Sequence, residues 1–262
     1  MPTDKMISRT QDGVGWMVFN NPERHNAISL EMWEAALEIM QGFAKDPSVR
    51  VMVLTGSGGK AFASGADISK FKDERQEAAA VAHYQTLTQK AYETLQAMPI
   101  PTIAMVRGYC IGGGTAVAVC CDLRICTENA KFGVPAAKLG LGYGLNRAQP
   151  LVDLIGPAFA KEMFFTGRQF DAREAEKMGL VNRVVADDVL EPTIDEMTRT
   201  IAANAPLTVR CAKLVVGEVL KDVAERDVAA ADRAVAACFA SADYKEGQAA
   251  FMEKRKPRFT GA

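Results

Sequence analysis

Short apolar runs alternate with stretches of helical spacing along most of this chain, and that alternation restricts its possible architecture more than any other feature. Residues 14–20 and 51–55 are rich in Val and aromatic side chains and end at Asn21-Pro22 and Gly56-Ser57-Gly58-Gly59, as buried strands do. Between them, residues 29–43 place Leu30, Met32, Trp33, Leu37, Ile39 and Met40 at helical spacing behind Ser29, an N-cap type. A second unit repeats the order. A helix over about 74–98 is stopped by Pro99 and Pro101, and a strand over 102–107 feeds Gly112-Gly113-Gly114. An apolar helix over 115–121 and a strand over 122–126 follow. Such repetition implies an α/β architecture with helices packed on sheet faces.

Past Leu151 the pattern turns mostly helical. Asp171 and Glu174 have the spacing of a capping box ahead of a helix over 172–178 that Gly179 ends. Residues 202–240 are rich in Ala and Val, with charges at helical intervals and no strand signal. The expected organisation is therefore a core over 1–201 and a helical region over 202–262, with no Gly/Ser linker to make the second independent.

Composition limits the partners. A net charge of −1 over 262 residues supplies no broad basic field for nucleic acid or an anionic membrane, so an anionic ligand needs a specific site. Six cysteines without a CxxC pair, and two histidines, read as neither a zinc site nor a disulfide framework. Reduced thiols and a cytoplasmic protein are the expectation. The N-terminus has no apolar signal-like stretch, and no run approaches the roughly 18 apolar residues of a membrane span.

Nucleotide-binding readings of the glycine clusters fail. A P-loop at Gly59-Lys60 requires Gly where Leu54 stands and Ser or Thr where Ala61 stands, and a dinucleotide loop from Gly140 and Gly142 requires Gly where Leu145 stands. No histidine pairs with a serine in a nucleophile elbow. The glycines make better sense as an oxyanion device, because Gly112-Gly113-Gly114 precedes a wholly apolar helix whose first-turn N–H groups are free. A tight turn with close packing is the other reading of those three residues.

Five ordered motifs add to this. Asn21-Pro22-Glu23-Arg24-His25-Asn26-Ala27, Lys60-Ala61-Phe62-Ala63-Ser64-Gly65-Ala66-Asp67-Ile68, Gly108-Tyr109-Cys110-Ile111-Gly112-Gly113, Cys121-Asp122-Leu123-Arg124 and Lys131-Phe132-Gly133-Val134-Pro135 all stand in sequence. With the segment 172–185 and the tail from Glu246-Gly247 to Pro257, they resemble the enoyl-CoA hydratase/isomerase (crotonase) superfamily over nearly the whole chain.

That resemblance implies a crotonase-like spiral of ββα units with a C-terminal helical trimerisation region, assembled as a homotrimer or a dimer of trimers. It implies an acyl-CoA substrate, no cofactor beyond the CoA moiety, and no metal. The thioester oxygen would be bound by the N–H groups of Ala66 and Gly113, with Arg24, Lys60, Ala63, Ser64, Asp67, Ile68 and Lys254 toward the substrate and its CoA. A solvated surface role is the alternative for the basic residues among them.

The chain departs from the family's hydratases at two positions. The first hydratase glutamate lies three residues after the oxyanion glycine, where this chain has Ala116, and the second follows the Phe-Gly-x-Pro proline, where it has Ala136. Hydration requires an activated water and a proton donor. The favoured expectation is therefore a decarboxylase or C–C lyase acting on a carboxyacyl-CoA. A hydratase or isomerase with substitute groups, and a non-catalytic acyl-CoA-binding homologue, are the alternatives. The polar candidates left are Tyr143, Asn146, Asp67, Ser64, Lys138 and His83, and the placement of Tyr143 resembles a tyrosine of bacterial methylmalonyl-CoA decarboxylases. An RNA-binding role expects a lysine-rich helix, and residues 29–43 contain neither Lys nor Arg.

Overall fold

The computed structural model describes residues 3–67 and 78–262. Strands β1 (Met6–Gln11) and β2 (Val14–Phe19) pair antiparallel across Asp12 and Gly13. Both turn residues have positive φ, as a two-residue hairpin turn of the primed type needs. Helix α1 (Leu30–Lys45) leads to β3 (Val51–Gly56) and β4 (Ala61–Ala63). Then come α2 (Ala78–Gln96), β5 (Thr102–Val106), β6 (Tyr109–Ile111), α3 (Gly113–Cys120), β7 (Leu123–Thr127) and β8 (Lys131–Gly133). The chain continues through α4 (Leu145–Thr166), β9 (Phe170–Asp171), α5 (Ala172–Lys177), β10 (Arg183–Val185) and α6 (Asp187–Ala203).

Two sheets result, ordered β1-β2-β3-β5-β7-β10 and β4-β6-β8-β9. In each of the pairs β3/β4, β5/β6 and β7/β8 the first strand joins the larger sheet and the second the smaller before the chain turns to a helix. The chain thereby winds as a spiral of ββα units. The centre of the larger sheet is buried on both faces, which is why β3 and β5 read as near-continuous apolar runs. Met52, Leu54, Ala104 and Val106 face the main core with Phe62, Phe132 and Phe170. The alternating Val51, Val53, Ile103 and Met105 pack instead under Leu190 and Ile194 of α6.

Local expectations meet the structure unevenly. The capping box is complete: Glu174 N donates to Asp171 Oδ1 at 2.9 Å and Asp171 N to Glu174 Oε2 at 2.9 Å. Ser29 stands at the N-cap of α1, but its side chain makes no cap bond and its hydroxyl lies 3.3 Å from Glu31 Oε1 instead. The helix expected over 74–98 ends at Gln96, and the start of that range falls outside the described residues. Strands β4, β6, β8, β9 and β10 have only two or three residues each, too few for any periodicity to announce them.

The C-terminal helices α7 (Pro206–Val219), α8 (Val228–Ala240) and α9 (Ala242–Met252) are tied to the core of their own chain. Lys213 Nζ of α7 donates to Ile100 O at 2.9 Å and Asp122 Oδ2 at 2.7 Å, and Asp122 in turn accepts from Thr102 N. The tail folds back so that Asp243 accepts from Thr260 N at 2.7 Å and Gly261 N at 2.8 Å.

Arg124, beside Asp122, is 3% exposed and donates to the carbonyls of Leu180, Ala118, Cys121 and Asp122. It joins the end of α3 to the segment before β10. Arg124→Leu leaves those carbonyls unsatisfied, and a loss on the order of 3 kcal/mol is expected. Thermal unfolding should show a midpoint lower by roughly 10 °C; an unchanged midpoint would mean that Arg124 contributes nothing net to stability.

Candidate functional site

The parallel neighbours β4 and β6 end side by side, so the loops leaving them meet. Glycine permits that meeting. A Cβ on Gly114 would stand 2.0 Å from Ala63 O, and Gly65, at φ +101°, would bring a Cβ to 3.2 Å from Ile111 O. The approach places the amide nitrogens of Ala66 and Gly113 together: a Cβ built on Gly113 would lie 3.7 Å from Ala66 N, and one built on Gly65 would lie 3.4 Å from Gly113 N.

Both N–H groups are left free by the local chain path. Ile28 N donates to Gly65 O at 2.8 Å and Asp67 N to Ile28 O at 3.1 Å, a bridge that turns the Ala66 N–H the other way. Gly113 opens α3, and its N–H therefore has no intrahelical acceptor. Among the described residues neither N–H has a hydrogen-bond partner.

These amides border a cavity of about 180 Å³. Tyr84, Thr88 and Tyr92 recur every fourth residue of α2 and form one wall with Trp33 of α1. The opposite wall is Ala136, Leu139, Leu141, Tyr143 and Arg147. The Tyr92 ring meets Trp33 edge-on at 5.2 Å, and its hydroxyl would lie 3.6 Å from a Cβ on Gly113, beside the free amides. Burial pushes the Tyr92 phenol well above its ordinary range. Tyr143 packs on Phe164 at 4.9 Å and is pushed up to about 12 by burial, with Arg147 opposing. Both phenols are thus proton-bearing near neutral pH, suited to donate hydrogen bonds and unsuited to act as bases.

Of the side chains foreseen for the site, Ser64, Ala66, Gly113, Ala136 and Tyr143 line the cavity. Ala116 sits one turn into α3, 7% exposed, behind that lining. Arg24, Lys60 and Lys254 are exposed and border no part of it; Ala63 is fully buried in β4, and Asp67 is 8% exposed. Ile68 falls outside the described residues. His83 needs correcting as a site candidate. It is exposed because it precedes Tyr84 by one residue on α2 and so points about 100° away from the cavity stripe. Lys138 and Asn146 are exposed as well, and neither lines the cavity.

Sequence reasoning missed Trp33, Tyr84, Thr88, Tyr92 and Arg147 as lining residues. The four-residue spacing of Tyr84, Thr88 and Tyr92 was the available signal. Among the described residues lining the cavity there is no carboxylate and no imidazole, and Arg147 is the one charged side chain. No cluster that could hold a metal ion occurs among the described residues, and no described helix is long and apolar enough to cross a membrane.

Comparison with known proteins gives a consistent result. The family model described as enoyl-CoA hydratase/isomerase matches residues 9–262. The chain is 34% identical over 259 residues to a crotonyl-CoA hydratase of Syntrophomonas wolfei, covering 99% of each chain. It is 32% identical to a short-chain-enoyl-CoA hydratase of Clostridium acetobutylicum, covering 98% of this chain and 97% of the other. A solved structure described as an enoyl-CoA hydratase/carnithine racemase from Magnetospirillum magneticum superposes with a TM-score of 0.93 at 36% identity, over 99% of this chain and 97% of that one.

Proposed function

The chain belongs to the enoyl-CoA hydratase/isomerase family, and from that premise we propose that it holds an acyl-CoA thioester with its carbonyl oxygen between the N–H groups of Ala66 and Gly113. The observation that carries this is the pair of unpartnered amides converging on one cavity. Preorganised donors of this kind stabilise the negative charge that reaches oxygen as a thioester enolate forms, each contributing on the order of 3 kcal/mol.

For the reaction, two readings have support. The names of the two hydratases favour hydration or isomerisation of an enoyl-CoA with substitute groups, for which Tyr84, Tyr92 and Tyr143 are the phenols in the lining. The cavity favours loss of carbon dioxide or another neutral fragment from a carboxyacyl-CoA. In that step the breaking C–C bond supplies the electron pair of the enolate, and a proton from solvent later quenches the carbon, so no base is required. The absence of carboxylate and imidazole from the described lining, and phenols held protonated, agree with it.

A mass-spectrometric screen of acyl-CoA thioesters, malonyl-type and 2-enoyl ones included, tests both. Product lighter by carbon dioxide supports the lyase reading, and product heavier by water the hydratase one. On the lyase reading Tyr143→Phe should lower kcat about tenfold with the melting temperature unchanged. A mutant equal to wild type would reduce Tyr143 to packing against Phe164. If no thioester raises the melting temperature at millimolar concentration, the acyl-CoA assignment itself fails.

Assembly as a homotrimer or dimer of trimers has its support in α7–α9 and the turn that ends α7. Val219, Leu220, Phe239, Phe251 and Met252 there are 60%, 68%, 60%, 82% and 79% exposed, large apolar side chains that an assembly interface would cover. The cytoplasmic setting expected from the thiols belongs to the same proposal.

A further inference from the structure

Arg147 has no role in the oxyanion device, yet it occupies the cavity that the device opens into. It lies in the first turn of α4, half-buried, with its guanidinium carbon 5.4 Å from the centroid of the Tyr143 ring. It forms no ion pair and its side chain makes no hydrogen bond among the described residues. The remaining lining side chains are aromatic, aliphatic or hydroxyl-bearing. A cation removed in part from water and left without an anion is costly unless a ligand provides one.

We propose that Arg147 is the specificity-determining residue of this site, receiving a carboxylate borne by the acyl group of the thioester. The substrate class is then a dicarboxylic acid esterified to CoA at one end. Arg147 supplies two parallel N–H donors suited to a carboxylate, and its guanidinium lies over the Tyr143 ring within cation–π range. This inference rests on the acyl-CoA reading above, because the cavity receives an acyl group only if the thioester oxygen lies at Ala66 and Gly113. It does not depend on which bond is broken.

The phosphates of CoA are the other anions that Arg147 could meet, and binding measurements separate the two. Malonyl-, succinyl- and glutaryl-CoA are titrated by calorimetry against wild type and Arg147→Leu, each beside the uncharged acyl-CoA of equal chain length. Wild type should prefer at least one carboxyacyl thioester over its counterpart by about tenfold or more. Arg147→Leu should abolish that preference while leaving the uncharged thioesters bound as before, and Arg147→Lys should retain part of it. Equal weakening of every thioester by Arg147→Leu would assign the residue to CoA phosphate and overturn the proposal. So would a wild type without preference, or a preference that survives in Arg147→Leu. If uncharged thioesters bind and carboxyacyl ones do not, this inference alone fails; if none binds, the acyl-CoA reading fails with it.

Discussion

Crotonyl-CoA should be hydrated by this protein at a rate lower by about 10⁴-fold or more than by an enzyme with both acid/base glutamates. A positioned general acid or base contributes roughly 10²- to 10⁴-fold, and hydration uses one of each. Here the resemblance puts Ala116 and Ala136 at those positions, and burial holds the Tyr92 and Tyr143 phenols protonated. The double variant Ala116→Glu, Ala136→Glu should raise the rate by at least an order of magnitude, since Ala136 already faces the cavity and the amides of Ala66 and Gly113 are in place. Ala116 is the harder substitution, being 7% exposed, so a melting curve must accompany the rate. A wild-type rate within about tenfold of ordinary hydratases would show that other groups move both protons, and would decide for the enoyl-CoA reading.

Gly113→Pro should reduce turnover of any thioester the protein converts by about 10²- to 10³-fold, the cost of deleting one oxyanion donor. Proline is well suited to this removal. Gly113 is the first residue of α3, where proline is tolerated because the lost N–H had no helical acceptor, and a Cβ there comes no closer than 3.5 Å to its neighbours. An unchanged melting temperature with lost turnover is the expected pair of results. Full activity in a folded Gly113→Pro would remove the oxyanion assignment. Gly114→Ala, by contrast, should damage the fold, because its Cβ would stand 2.0 Å from Ala63 O.

The glycine-rich segments were legible in the sequence because their backbone requirement excludes other residues, and the order of five motifs gave the family. The two alanines were legible as residue identities at positions that the resemblance assigns. The helical wall of the cavity was not read. Tyr84, Thr88 and Tyr92 fall in a stretch whose polar-apolar mixture suggests a surface helix, and only its packing on α1 shows that the stripe faces inward. His83 illustrates the converse: a titratable residue next to the site in sequence is turned to solvent by one step of helical phase.

By itself the sequence determined the strand–helix alternation, the capping box at Asp171 and Glu174, the glycines at 65, 112, 113 and 114, and alanine at the two positions to which the resemblance assigns the hydratase carboxylates. These are properties of nearest neighbours along the chain, or of residue identity at a recognised motif. The tertiary structure decided that β4 and β6 lie side by side, which brings together the Ala66 and Gly113 amides that the resemblance had paired, and that Arg147 is brought across from α4 into their cavity. The pairing of β4 with β6 joins residues more than forty positions apart through strands of three residues. Such short strands have no periodic signature, and the sheet pairing that positions them is a property of the assembled core.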